Sequence, residues 1–342
     1  MKPLFTIKPA RRRRRSRGPL VVFALVLVAL VLVGYRMASR TEVLAPFTGQ
    51  VQTFPEIEPV SGLEVCWLET GAMSLVDATA SSLLIRHPKG VVLVDAGTSS
   101  HFDAEIEPFP TADRLSLLLG PGTIRAKRPL AALLEAHKVK PESLTAVIPT
   151  HAHVDHLGGV LDLPDSVPIW TTAAERSFAR AEVKAAVRSV HVMPSHAAAL
   201  ETRGVELALD RTEGGFGPHR DLFGDGSVLM VDLSGHTPGS IGVWVSLPTG
   251  QRLFLPGDAI NRVGELTPAQ SKRALLRRSD VDAARTHALV SRMAKLRGLD
   301  PTLAWLPAHD RPAWLAVFGA PGRCLGGEAK KSSAQPSAAQ NP

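Results

Sequence analysis

The sequence predicts an α+β domain made of two similar β–β–α halves, preceded by one N-terminal transmembrane helix. Three observations carry this expectation. A long charge-free apolar run follows a block of arginines, and short strand-like segments followed by a helix-like one occur twice. The third is a cluster of imidazole and carboxylate side chains, His151-Ala152-His153-Val154-Asp155-His156, which stands between the end of an apolar segment and a Gly158-Gly159 turn.

Residues 1–18 are a basic segment, and residues 19–35 form an apolar run close to the roughly 20 residues that cross a bilayer. Because the arginines lie on its N-terminal side, the positive-inside rule makes it a single-pass signal anchor of the inner (cytoplasmic) membrane. The N-terminus is then cytoplasmic and the body periplasmic or extracellular. A cleavable signal peptide ranks second, since the run exceeds the usual core of about 7–15 residues and no Ala-x-Ala site follows it. A buried soluble helix ranks last, having no use for five consecutive arginines beside it. The net charge of +7 belongs to this end of the chain. Residues 1–40 hold ten of the 39 Lys and Arg and no acid, which leaves 29 bases against 32 acids elsewhere, near −3. With no basic stripe interleaved with aromatics in the body, nucleic acid is excluded as a partner.

Residues 36–59, punctuated by Pro46, Gly49, Pro55 and Pro59, read as a linker that holds the body off the membrane. The domain proper is expected over 60–319, and 44% apolar residues suffice for its core. Segments 63–68, 82–86 and 90–95 are short, rich in branched residues and separated by turn residues, as strands are. The third delivers Asp95 to a flexible turn. Over 101–128, Pro108-Phe109-Pro110, the leucines of 115–119 and Gly120-Pro121-Gly122 predict an irregular surface insertion with a small core of its own, placed where it could also cover a cleft. A helix follows near 129–137, then a strand at 169–171 and a helix over 173–187.

A second set of strands is expected at 205–209, 228–232, 241–245 and 253–255, with a helix over 285–296 capped by Ser279-Asp280 and stopped by Gly298. A last strand lies at 303–306, and residues 320–342, which have no period, read as a disordered tail. A Cys66–Cys324 bridge is permitted in an exported body. Two cysteines so far apart form no framework, however, and the plainer reading is a buried Cys and a tail Cys.

The chemistry sits at the ends of strands. His151, His153, Asp155 and His156 offer four metal-capable side chains within six residues. Neutral imidazole and carboxylate suit zinc, iron or manganese, and two cysteines cannot make a thiolate cluster. His236 in Ser234-Gly235-His236-Thr237-Pro238-Gly239, Asp258 in Pro256-Gly257-Asp258 and His309 in Pro307-Ala308-His309 each follow a short apolar segment in the same way. Together they supply five His and two Asp, enough for two metal ions sharing one carboxylate.

This ordered set, with Asp95 upstream, resembles the metallo-β-lactamase superfamily, in particular the hydrolase branch of glyoxalase II enzymes and acyl-homoserine-lactone lactonases. The resemblance spans roughly Val60 to Phe318. It implies an αββα sandwich and two divalent metal ions, zinc first with manganese or iron as the alternatives. His151, His153 and His236 would bind one ion, Asp155, His156 and His309 the other, and Asp258 would bridge them. Asp95 would accept a proton from a ligand His and fix its tautomer. The implied reaction is attack of a metal-bound hydroxide on the carbonyl of a small-molecule ester, lactone or thioester, with Asp155 as the catalytic residue that steers the nucleophile or passes a proton to the leaving group.

Asp rather than Cys at position 258 sets β-lactamase-type amide hydrolysis second. Placement outside the cytoplasm disfavours a glutathione thioester. A di-iron redox centre and a non-catalytic membrane-tethered metal-binding module are the readings from other classes. Among the remaining histidines, His87, His137 and His287 read as surface residues. His101, His191, His196 and His219 lie in loops that could approach the cleft, as could Asn261 and Arg262.

Overall fold

Strand alternation decides which layer each side chain joins. In β1 (Glu64–Met73), Val65 and Trp67 belong to one core cluster and Cys66 and Leu68 to another, all four being buried. A strand buried on both faces needs a layer on each side. The computed structural model describes residue 34 and residues 36–73, 78–119, 124–185, 191–212 and 216–327. The segments 1–18 and 19–35 lie outside these residues, Gly34 apart, as do residues 328–342. Among the described residues no helix is long and apolar enough to cross a membrane.

Seven strands form the first sheet. With β2 (Ala78–His87), β3 (Gly90–Val94), β4 (Ala146–Ile148), β5 (Ile169–Thr171), β6 (Gly204–Glu206) and β12 (Cys324–Gly326), the order is β12-β1-β2-β3-β4-β5-β6. The second sheet contains β7 (His219–Asp221), β8 (Val228–Asp232), β9 (Ile241–Ser246), β10 (Arg252–Leu255) and β11 (Ala304–Trp305), in the order β11-β10-β9-β8-β7. Inward side chains of β1 to β4 meet those of β8 to β10 in one shared core that includes Trp67, Ile85, Ile148, Met230 and Val243. The outer face of the first sheet is covered by helices Leu130–Ala136, Ala173–Lys184 and Pro194–Arg203. That of the second packs on Val290, Met293 and Leu296 of helix Ala283–Leu299. The layers are therefore α, β, β, α.

Several sequence expectations are corrected. Residues 205–206 extend the first sheet, pairing parallel with β5, instead of opening the second. The insertion is not irregular: it forms helices Phe102–Ile106 and Thr111–Leu119, and its core of Phe102, Ile106 and Leu117 is shared with Met193 and with Val154 inside the histidine motif. Glu105 of the first helix lies 2.9 Å from the buried His196; burial raises its pKa, but His196 and Ser195 draw it down to about 2. The long C-terminal helix is capped by Asp282, which accepts from Arg285 N–H, and it runs through Gly298. His87 is buried, stacked on Phe223 and paired with Asp225.

Both ends of the expected domain move outward. Part of the expected linker packs on the body, with Phe54 buried against Trp244 and Leu44 N–H donating to the Ala269 carbonyl. The expected tail contributes β12, whose Cys324 stands opposite Cys66 and is disulfide-bonded to it. The reading of two unpaired cysteines is thus overturned. The bridge closes a loop of 258 residues. Replacing both cysteines with serine is expected to cost about 3–5 kcal/mol in denaturant unfolding, and reductant is expected to destabilise the native chain but not the double variant.

Candidate metal centre

Parallel pairing brings the first pieces together. Val94 of β3 stands opposite Ile148 of β4, so Asp95 and the His151 loop leave the sheet side by side. Asp95 adopts a left-handed conformation (φ 59°), which turns its carboxylate back towards Thr150. It accepts from Thr150 N–H at 2.6 Å and from His156 Nδ1–H at 3.0 Å. The Gly pair lets the motif helix Val154–Leu157 approach this turn closely, since a Cβ on Gly159 would lie 2.2 Å from the Ala96 carbonyl oxygen. The second sheet joins at Ile241, whose N–H donates to the Thr150 carbonyl at 2.9 Å. From that sheet, His236 follows β8, Asp258 follows β10 and His309 follows β11.

The structure brings all seven predicted ligand residues to one buried point. His151, His153 and His236 form one group of converging donor atoms, and Asp155, His156 and His309 form another; Asp258 joins His151 and His156 in a third. Asp258 faces both sides. Its Oδ1 lies 3.3 Å from His156 Nε2 and 3.2 Å from His309 Nε2, while Oδ2 lies 3.7 Å from His236 Nε2. Asp155 is 3.5 Å from His309 Nε2.

Each supporting hydrogen bond fixes a tautomer that leaves a lone pair pointing inward. His156 donates through Nδ1 to Asp95, His236 through Nδ1 to Asp280 at 2.7 Å, and His309 through Nδ1 to the Thr79 carbonyl at 2.8 Å. His236 Nε2 then faces His153 Nδ1 at 3.1 Å. His151 Nε2, His156 Nε2 and Asp258 Oδ1 are buried with no hydrogen-bond partner among the described residues. Buried polar atoms left this way are costly unless a ligand meets them, and these donor types suit a divalent cation.

The electrostatics agree. Burial and the neighbouring imidazoles hold the pKa of His151 and His153 well below the usual histidine range, and burial with Lys272 does the same to a lesser degree for His236. All three favour the neutral form that binds metal. At His309 burial opposes charge, yet Asp258 and Asp155 lift its pKa to about 9. At His156 burial is likewise outweighed, by Asp95 and Asp258. The carboxylates thus create a place that favours positive charge.

The superfamily model for metallo-β-lactamases matches residues 76–299. The chain belongs to the metallo-β-lactamase superfamily. It is 24% identical over 239 residues to the N-acyl homoserine lactonase AttM of Azorhizobium caulinodans, a match covering 70% of this chain and 84% of that protein. The cytochrome P450 monooxygenase mpaDE' of Penicillium brevicompactum is 27% identical over 149 residues, 39% of this chain; the chain spans only 16% of that relative's length. A crystal structure of a quorum-quenching N-acyl homoserine lactone lactonase shares the fold at a TM-score of 0.52 and 14% identity, covering 75% of this chain and 94% of that one.

Three supports of this cluster are absent from the sequence reading. Glu175, buried at the start of helix Ala173–Lys184, accepts from Ala152 N–H, Thr237 Oγ–H and Gly239 N–H at 2.7, 2.6 and 3.0 Å. It ties the His151 loop to the His236 loop. Asp280, expected as a helix cap, instead turns inward to His236, and the buried Lys272 pairs with it at 2.5 Å. Of the other histidines, His191 stacks obliquely on His153 with ring centres 5.0 Å apart, whereas His101 is exposed. Asn261 N–H donates to Glu265 at 2.9 Å, holding the turn after Asp258. Asp280→Asn keeps the shape but removes the charge that favours Nδ1–H on His236. Metal affinity, measured by competition with a chromophoric chelator, is expected to fall about 10–100-fold while circular dichroism stays unchanged; undiminished affinity would remove Asp280 from the site.

Proposed function

We propose that the protein is a membrane-anchored, binuclear metal-dependent hydrolase that opens an ester-type carbonyl, with lactones the first substrate class and other esters and thioesters next. The observation that carries this reading is Asp258, set between two groups of converging histidines with one carboxylate oxygen facing His156 and His309 and the other facing His236. The matched lactonase AttM favours lactones within that class.

His151, His153 and His236 would hold one divalent ion and Asp155, His156 and His309 the other, with Asp258 shared; zinc fits these donors best, with manganese or iron next. When bound, such ions make water a nucleophile near neutral pH and polarise a carbonyl. The chain's own residues do the rest. Asp95, Asp280 and the Thr79 carbonyl keep Nδ1 of His156, His236 and His309 protonated, so that each presents Nε2. Glu175 keeps the two histidine loops in register. Asp155, 3.5 Å from His309 Nε2, would also orient a water with its carboxylate and carry its proton to the leaving oxygen.

The anchor is the charge-free run 19–35 with the arginine block before it. The Cys66–Cys324 bridge supports a body outside the reducing cytoplasm, where such bonds persist.

A panel of lactones, aryl and alkyl esters and thioesters tests the activity on protein reconstituted with zinc or manganese. Lactone turnover is expected, with kcat/KM lowered about 100-fold or more in Asp258→Ala and abolished by chelation. Turnover equal in Asp258→Ala would refute the hydrolase reading.

A further inference from the structure

Residues 36–44 and 269–281 form one surface. Leu275 N–H donates to the Ala38 carbonyl, Ala274 N–H to Arg40, Ser271 N–H to Glu42, and Leu44 N–H returns to Ala269. On this surface five large apolar side chains stand in water: Met37 is 58% exposed, Val43 76%, Leu275 59%, Leu276 42% and Val281 56%, of which Met37, Leu275 and Leu276 are the unbranched-at-Cβ ones able to reach outward. Around them Arg36, Arg40, Arg273 and Arg278 are exposed, and none has a salt-bridge partner among the described residues, whereas Arg277 is paired with Glu42. The body as a whole is slightly acidic, so this local excess of arginine is distinctive.

The chain itself says what this patch meets. The apolar run ends at Tyr35, three residues before Ala38, and three residues span at most roughly 10 Å. The apolar patch therefore lies next to the end of the proposed anchor. Apolar side chains ringed by arginine match the interfacial layer of a bilayer, where the first enter the acyl boundary and the second meet phosphate.

We propose, resting on the membrane-anchor reading above, that Met37, Leu275 and Leu276 insert into the interfacial layer of an anionic phospholipid surface, with Arg40, Arg273 and Arg278 on its phosphates. The expected spacer then does not hold the body away; it seats the body on the bilayer. The same segment carries Lys272 and Asp280 to His236, so seating it brings the His236 side of the centre close to the lipid.

The test uses full-length protein in vesicles of phosphatidylethanolamine and phosphatidylglycerol. Both native cysteines are bridged, so a single introduced cysteine can carry an environment-sensitive fluorophore. Leu275→Cys is compared with Val205→Cys on the exposed edge strand β6. Brominated lipids are expected to quench the label at 275 at least about twofold more than that at 205, and Arg273→Glu with Arg278→Glu is expected to remove most of the difference. Equal quenching in protein that survives an alkaline wash would overturn the docking inference and leave the anchor standing. Release by the wash would overturn the anchor, and this inference with it. A concentration-dependent blue shift at 275 in detergent without phospholipid would assign the patch to a second copy of the chain, which also overturns the proposal.

Discussion

Five imidazoles and the Asp155 carboxylate are buried around a half-buried Asp258, with lone pairs facing one another, and that arrangement is unfavourable without a shared cation. His236 Nε2 faces His153 Nδ1 at 3.1 Å, and with His236 protonated on Nδ1 only a proton on His153 Nδ1 or a cation can fill that contact. Much of the surrounding structure serves to hold this crowd in place. Two sheets end at the same edge, Asp95 takes a left-handed turn to reach Thr150 and His156, and Glu175 spans the two histidine loops. Each sheet supplies part of the ligand set, so the site exists only when the sandwich is closed.

The supports also explain the tautomers. Asp95, Asp280 and a main-chain carbonyl are three different acceptors that achieve one result, an inward Nε2. Of these, Asp280 sits on a segment whose outer side carries the exposed leucines and arginines. The surface proposed to meet the bilayer and the support of His236 therefore share one stretch of backbone, with Lys272 buried beneath it.

The strand-end motifs were legible because they are local: a short apolar run, a turn, then His or Asp. Their convergence was legible through the resemblance, whose motif order matches. What depended on distant pairing was not. Asp280 and Asp282 look alike before a helix, and only tertiary contact with His236 decides that the second caps and the first turns inward. Glu175 follows Thr172 at capping-box spacing, and Thr172 does cap the helix, which hides the use of the Glu175 carboxylate elsewhere. Lys272 reads as a solvent residue until its buried partners are seen. β12 was lost in a polar tail because Cys324-Leu325-Gly326 is too short to announce a strand without β1 beside it. In the insertion, proline and glycine suggested irregularity, but the intervening residues pack as helices against Val154.

Metal stoichiometry by plasma mass spectrometry, combined with anomalous scattering from crystals of the reconstituted protein, tests the central claim most directly. The account predicts two divalent ions per chain with the Asp258 carboxylate between them, one among His151, His153 and His236 and the other among Asp155, His156 and His309. A protein that takes up no ion after reconstitution, or a single ion that Asp258 does not touch, would contradict it.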